Sequence, residues 1–155
     1  MKWKTYVVSV LIALAVGGLS ALLTSGNMMI YDELVQPPLA PPAILFPIVW
    51  TILYVAMGIG AARVCIVGKG MKVVTTEAIK TYAAQLAVNF FWSIIFFNFR
   101  AFLLAFLWLI LLWILILVML VRFAKVDDFA AIINIPYLVW VTFAGYLNFM
   151  IYILN

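Results

Sequence analysis

Residues 30–58, IYDELVQPPLAPPAILFPIVWTILYVAMG, decide the fold of this chain, and they hold five of its six prolines. Proline fixes φ and pushes the preceding residue toward an extended conformation, so the two adjacent proline pairs predict a stiff, non-helical segment. After the second pair an apolar helical pattern begins, in which Trp50, Tyr54 and Gly58 share one face. The stretch therefore predicts a rigid loop that leads into an aromatic helix face.

Composition indicates a membrane protein. Of the 155 residues, 70% are hydrophobic and 9% are charged, and the mean hydropathy is +1.29. These values lie far outside the range of soluble globular chains. The net charge of +4 does not indicate nucleic acid, because the nine basic residues are spread over loops rather than clustered. The single cysteine, Cys65, excludes an internal disulfide, and the lack of histidine argues against a metal site.

Five apolar runs predict one domain, residues 1–155, with spans at about 5–23, 43–62, 77–97, 101–121 and 128–154. At ~1.5 Å per residue each run reaches about 30 Å, enough to cross the hydrocarbon core. The basic start also suits a signal peptide, but no clean cleavage site precedes Asn27, so we expect an uncleaved first helix. The predicted fold is an all-α membrane protein, a bundle of five transmembrane helices with a proline-rich loop capping a pocket.

Loop charges predict the orientation of these spans. Eight basic residues fall on one side, namely Lys2, Lys4, Arg63, Lys69, Lys72, Lys80, Arg122 and Lys125. Only Arg100 falls on the other side. By the positive-inside rule the amino terminus is cytoplasmic, and the proline-rich loop and carboxyl terminus are outside. The expected location is a bacterial cytoplasmic membrane.

Two features of the spans predict helix packing. Ala13, Gly17 and Ala21 are spaced four apart in the first span, an arrangement that lets membrane helices approach closely. In the third span Ala83 and Ala87 lie opposite the polar face, so this side is a candidate homodimer contact. In the fifth span Pro136 is expected to kink the helix or to free a carbonyl group.

Polar and aromatic side chains inside the spans point to a pocket, because burying a polar group in a membrane is costly. They are Trp50 and Tyr54 in the second span, Gln85, Asn89 and Trp92 in the third, and Trp140 and Phe143 in the fifth. Apolar walls with a few orienting polar groups suit a small molecule, and aromatic planes suit a flat one. For Gln85 and Asn89 a second interpretation stays open, in which they only hydrogen-bond to a neighbouring helix.

Three motif blocks carry a family resemblance. The first is Tyr31, Leu34, Pro37, Pro41, Pro42, Phe46, Pro47, Trp50, Leu53, Tyr54, Met57 and Gly58. The second is Gln85, Leu86, Asn89, Trp92, Phe96 and Phe97, and the third is Ile135, Pro136, Tyr137, Trp140, Phe143, Ala144, Leu147 and Asn148. Together they resemble the translocator protein family, also called the tryptophan-rich sensory protein or peripheral benzodiazepine receptor family (TspO/MBR). This chain looks like a bacterial-type member.

The resemblance implies a five-helix receptor or sensor that binds protoporphyrin or haem-type tetrapyrroles and requires no cofactor. It implies ligand contacts from Tyr31, Phe46, Trp50, Tyr54, Gln85, Asn89, Trp92, Trp140, Phe143, Ala144 and Leu147. The chain departs from the family at Ile30, Gln36 and Leu39, where a tryptophan, a basic residue and an aromatic residue are usual. A carboxyl-terminal sterol motif is not expected, because nothing basic follows Lys125.

Two other functions stay open. A light-dependent porphyrin-degrading enzyme is implied by the resemblance alone, and its candidate catalytic residues are Trp50 and Trp140. Ordinary acid–base catalysis is disfavoured, because all five carboxylates lie near span ends and histidine is absent. A transporter is the second alternative, but no charged relay or inverted repeat is visible. The expected partners are hydrophobic ligands and the lipid bilayer.

Overall fold

The computed structural model describes residues 2–155, and this part of the chain is helical with no strand. Five long helices follow one another: α1 (Lys2–Thr24), α2 (Leu45–Val67), α3 (Lys72–Ser93), α4 (Phe102–Ala124) and α5 (Ile135–Leu154). Short helical turns lie between them at Ser25–Asn27, Ile30–Glu33, Gly68–Gly70 and Asp128–Ile132. A π-helical turn, Ile94–Asn98, continues α3. The predicted all-α class is confirmed.

Four segments are long and apolar enough to cross a membrane: Lys2–Asn27, Leu45–Gly70, Phe102–Ala124 and Asp128–Leu154. They contain α1, α2, α4 and α5, and the prediction of an integral membrane protein is confirmed. Helix α3 is less apolar, since it carries Lys72, Glu77 and Lys80 in its first half.

The helix bounds differ from the predicted spans for local reasons. Helix α2 continues past Arg63 to Val67, because the Arg63 guanidinium is satisfied by Asp127 at 2.6 Å. The fifth predicted span is divided at residues 133–134, and α5 begins there. Pro136 therefore lies in the first turn of α5, where its missing N–H has no helical partner to lose. It starts a helix rather than kinking one.

Helices α1 and α2 pack backbone to backbone. A β-carbon on Gly58 would lie 2.5 Å from the Val10 Cα, so only glycine fits at this crossing. The Ser9 hydroxyl donates a 2.7 Å hydrogen bond to the Gly58 carbonyl. Ala13 is fully buried, and Gly17 lies against the Tyr54 ring with no room for a side chain. The small residues of α1 thus serve close helix packing, as their spacing predicts.

Polar contacts hold one end of the helices together. Arg63 pairs with Asp127, whose carboxylate also accepts a 3.1 Å hydrogen bond from the Ala130 amide and so caps the turn Asp128–Ile132. The hydrogen bond from Arg63 holds the pKa of Asp127 below its usual value. From α4, Arg122 donates a 2.5 Å hydrogen bond to Thr81 of α3. The basic connections that the charge pattern groups on one side therefore meet at one end.

Candidate ligand cavity

A cavity of about 480 Å³ occupies the opposite end of the molecule, where the proline-rich segment lies. It is bounded by α1, α2, α3, the π-helical turn, α5 and the segment between α1 and α2. Its lining residues are Gly17, Ser20, Ala21, Met28, Tyr31, Ala43, Ile44, Phe46, Pro47, Trp50, Tyr54, Asn89, Trp92, Ser93, Phe96, Phe97, Ala144, Leu147, Asn148 and Ile151.

One wall is an aromatic row on and before α2. Trp50 and Tyr54 are one helical turn apart, and their ring centroids are separated by 5.7 Å. Phe46, one turn earlier, makes an edge contact with Tyr31 at 5.1 Å. Because these positions recur every fourth residue, a single helix presents all three rings in one direction. The result is a continuous aromatic surface along the cavity.

The opposite aromatic wall depends on the π-helical turn that follows α3. Consecutive residues on an α-helix point about 100° apart, yet Phe96 and Phe97 both line the cavity. The wider turn is closed by a hydrogen bond of 3.1 Å from the Phe99 amide to the Ile94 carbonyl. Such turns are rare and often accompany functional sites. Here the turn adds a second phenyl ring to the wall.

A buried hydrogen-bonded chain lies behind the α2 wall. The Tyr54 hydroxyl donates to Asn89 Oδ1 at 2.6 Å, Asn89 Nδ2 donates to the Tyr137 hydroxyl at 2.6 Å, and that hydroxyl donates to Gln85 Oε1 at 2.7 Å. The chain joins α2, α3 and α5, so both amides do hydrogen-bond to neighbouring helices. Asn89 also reaches the cavity, whereas Gln85 is fully buried and does not line it.

Asn148 fixes the floor of the cavity in a similar way. Its Oδ1 accepts a 3.1 Å hydrogen bond from Trp92 Nε1, and its Nδ2 donates at 2.8 Å to the Phe102 carbonyl. One amide therefore orients an indole of α3 and ties α5 to the start of α4. Since Trp92 lines the cavity, its ring plane is set by this contact rather than by apolar packing alone.

The proline-rich segment is attached over the cavity at three points. The Tyr31 hydroxyl donates to the Pro41 carbonyl at 3.1 Å, and the Tyr146 hydroxyl donates to the Pro38 carbonyl at 2.8 Å. The Asn155 side chain accepts from the Val35 amide at 3.0 Å and donates to the Val35 carbonyl at 3.2 Å. Burial raises the pKa of the Tyr31 phenol, and the nearby Asp32 carboxylate adds to this. Tyr31 is therefore a hydrogen-bond donor at neutral pH.

At the tip of this segment the backbone makes a tight turn. The Ala40 amide donates to the Pro37 carbonyl at 3.3 Å, and Leu39 has a φ of 72°. Proline followed by a residue with positive φ is the pattern of a type II turn, in which glycine or asparagine is usual. A leucine in this conformation costs about 1–2 kcal/mol.

Eight of the eleven sequence-predicted ligand residues line the cavity: Tyr31, Phe46, Trp50, Tyr54, Asn89, Trp92, Ala144 and Leu147. Gln85, Trp140 and Phe143 do not. Trp140 instead packs edge-on against Phe46, with ring centroids 5.8 Å apart, and Phe143 packs on Trp140 at 5.6 Å. Trp140 is thus one layer behind the wall, so Trp50 and Trp140 do not face a common space.

Sequence reasoning assigned no cavity wall to α1, yet Gly17, Ser20 and Ala21 form one. The small-residue spacing of α1 was the available signal, because residues that let helices approach also leave space where the helices diverge. Ser93, Phe97 and Ile151 were missed as well. Their inward direction depends on the π-helical turn and on the rotation of α5.

The cavity is almost free of charge. No lining side chain is ionisable apart from Tyr31 and Tyr54, and residues 2–155 contain no cluster of three metal-ligating side chains. The arrangement suits binding of a flat, apolar molecule by stacking and a few hydrogen bonds. It offers no carboxylate or imidazole for general acid–base catalysis.

Comparisons with known proteins agree over most of the chain. Residues 9–154 match the model of the TspO/MBR family. A tryptophan-rich protein TspO of Chlorobaculum tepidum is 40% identical over 81% of this chain and 78% of its own length. A tryptophan-rich sensory protein of Cereibacter sphaeroides is 35% identical over 77% of this chain and 72% of its own length. The translocator protein of Bos taurus is 33% identical, with coverage of 77% and 70%.

Proposed function

Because the chain belongs to the TspO/MBR family, we propose that it is a membrane receptor that binds a flat ligand of the tetrapyrrole class in the cavity between α1, α2, α3 and α5. The observation that carries this proposal is the lining: seven aromatic side chains surround about 480 Å³. That volume falls within the roughly 300–1,000 Å³ of small-molecule pockets. The rings are Tyr31, Phe46, Trp50, Tyr54, Trp92, Phe96 and Phe97.

A titration of the purified protein with protoporphyrin tests this function. Tryptophan fluorescence in the dark reports binding, because Trp50 and Trp92 line the cavity. Pigment absorbance under illumination reports turnover. Saturable binding without bleaching supports the receptor, and bleaching that needs the protein supports the degrading enzyme instead. Absence of saturable binding contradicts both.

The proposal includes five spans and a lid. Helix α3 contacts its neighbours through buried polar groups: Ser20 of α1 donates to its Phe90 carbonyl at 2.9 Å, and Trp108 of α4 donates to its Val88 carbonyl at 2.7 Å. With the Tyr54 and Tyr137 contacts, α3 is bonded to each of the other four long helices. A helix so enclosed tolerates a lower hydropathy than one that faces lipid. The proline-rich segment, anchored through Tyr146 and Asn155, is the proposed cap.

The orientation proposed for the cytoplasmic membrane follows the charge pattern. Cys65 lies at the basic end and is exposed, whereas Leu39 and Phe99 are exposed at the cavity end. An impermeant thiol reagent added to intact cells should leave Cys65 unlabelled. It should label cysteines placed at Leu39 or Phe99 in a chain that lacks Cys65. The reverse pattern would contradict the orientation, and labelling of only one of the two sites would contradict five spans.

We also propose a homodimer contact on α3. Ala83 and Ala87 are exposed on the same face of this helix and point away from the buried amides. Small residues on a membrane-exposed face allow close approach of a second helix. Replacing both with leucine should weaken crosslinking between copies while ligand binding persists. Undiminished crosslinking would place the contact elsewhere.

A further inference from the structure

The charge distribution around the cavity is unbalanced. Within it, the polar side chains are hydroxyls, amides and indoles, and none is basic. At its rim, the turn Ile30–Glu33 carries Tyr31 inward while Asp32 and Glu33 are exposed. Neither carboxylate forms an ion pair with any residue in the range 2–155. The mouth of the cavity therefore carries two uncompensated negative charges.

The opposing positive charge is small. Arg100 is the one basic residue at this end of the sequence pattern, and it does not line the cavity. Gln36, which lies in the segment over the cavity, is neutral, and its amide is used internally by the Tyr31 carbonyl. A ligand carboxylate brought to this rim would meet acidic neighbours and no basic side chain of the cavity wall. Taking a carboxylate into the cavity itself would be costlier still, because nothing there pairs with it.

The cavity also opens sideways. Ala21 of α1 and Ile44 before α2 both line it, and both are exposed, Ile44 to 68%. These helices belong to segments apolar enough to cross a membrane, so the opening faces the region that lipid occupies. A molecule that enters along this route must be soluble in hydrocarbon, which again disfavours charge.

We infer that the cavity selects flat ligands without negative charge over carboxylate-bearing ligands of the same shape, and that Asp32 and Glu33 enforce this selection at the rim. The inference rests on the proposed function and names the ligand class of that site. A porphyrin diester or another neutral planar molecule fits it better than a porphyrin dicarboxylate. The selecting groups are two side chains that touch no part of the aromatic wall.

The test compares protoporphyrin with its dimethyl ester, which keeps the ring and removes both charges. Binding is measured by tryptophan quenching in nanodiscs of neutral lipid, with partition into empty nanodiscs subtracted. The ester should bind about tenfold more tightly than the free acid, as expected when a charge has no partner. Raising the salt concentration should strengthen binding of the acid alone, because salt screens the rim charges.

The variant Asp32→Asn with Glu33→Gln should improve binding of the free acid several-fold and leave binding of the ester unchanged. Glu77→Gln at the far end removes one exposed negative charge and is the matched control, which should change neither ligand. Equal or tighter binding of the acid overturns the inference but keeps the tetrapyrrole function. An unchanged acid-to-ester ratio in the double variant overturns the role of the two carboxylates. Failure of both ligands to bind overturns the tetrapyrrole function itself.

Discussion

The Tyr54 hydroxyl donates a hydrogen bond of 2.6 Å to Asn89 Oδ1, and this contact connects the cavity wall to the buried polar chain behind it. Asn89 uses its other end to donate to the Tyr137 hydroxyl, also at 2.6 Å. Tyr137 does not line the cavity and is fully buried. One amide therefore satisfies a phenol that a ligand can touch and a phenol that it cannot.

Replacing Asn89 with alanine should destabilise the protein by about 1–3 kcal/mol, because it leaves buried phenols without partners. Tyr54→Phe removes a single hydroxyl and keeps the ring, so its cost should be nearer about 1 kcal/mol. Thermal unfolding midpoints in one detergent measure both. Asn27→Ala, which breaks the exposed Asn27–Asn98 contact, is the control and should have little effect. An unchanged midpoint for Asn89→Ala would contradict the network.

Trp50→Phe should weaken porphyrin binding several-fold, since an aromatic contact is worth about 1 kcal/mol beyond area burial. Any light-driven bleaching should fall further, because that chemistry needs the indole whereas stacking needs only a ring. Trp140→Phe should have a smaller effect on binding, since Trp140 lies behind Phe46.

Trp108 and Trp113 are the matched controls for this series. Both belong to α4 and donate through Nε1, to the Val88 carbonyl and to the Thr142 hydroxyl, and neither lines the cavity. Their phenylalanine variants should bind porphyrin as the parent does. Losses at these two positions as large as the loss at Trp50 would show that the pocket lies on other helices.

Gly58→Ala should destabilise the α1–α2 contact by about 1–3 kcal/mol, the usual cost of overpacking. The obstacle is the Val10 backbone at 2.5 Å, which cannot move like a side-chain tip. Gly18→Ala is a matched change in α1 with nothing within 4 Å of the added carbon. It should be neutral or stabilising by up to about 1 kcal/mol, as in any exposed helix interior. Equal midpoints for the two variants would argue against the close crossing.

Asp127→Ala should lower stability more than Asp127→Asn, because asparagine still caps a helix and alanine does not. Loss of the cap costs about 0.5–2 kcal/mol. Both changes remove the ion pair with Arg63, so their difference isolates the hydrogen bond to the Ala130 amide. Unfolding midpoints at neutral pH give that difference. Identical midpoints would mean that the cap contributes nothing.

The same carboxylate predicts a pH dependence. Its pKa is lowered in the folded protein by Arg63, so the unfolded chain binds the proton more tightly. The stabilisation is therefore complete above the unfolded pKa of about 3.9 and is lost as pH falls through the lower folded value. The gap in midpoint between the parent and Asp127→Asn should narrow below about pH 4. A gap that stays constant down to pH 2 would contradict the assignment.

Much of the fold is readable from the sequence because the membrane leaves few alternatives. Runs such as residues 102–124 are long, apolar and uncharged until Arg122, and only a helix can satisfy their backbone in lipid. The aromatic wall on α2 was predictable for a related reason. Trp50 and Tyr54 are one turn apart, so a single helix places them together whatever its neighbours do.

The remainder depends on contacts between helices. Arg63 resembled a helix end until its partner Asp127, distant in sequence, was brought beside it. Gln85 could have faced a ligand or another helix, and the choice is made by Tyr137 on α5. Trp140 shares a stripe with Ala144 and Leu147, yet it lies one layer behind, because Phe46 occupies the space in front of it. No local pattern encodes these outcomes.

The π-helical turn at Ile94–Asn98 also bears on how this chain is compared with its relatives. A wide turn is what one added residue leaves in an α-helix, so deleting one residue within the turn should restore ordinary winding. Phe96 and Phe97 would then diverge by about 100°, and one ring would leave the cavity. An alignment that ignores the turn would shift every position from Phe97 onward by one. Lineages with and without the extra residue should accordingly differ in the breadth of planar ligands that they accept.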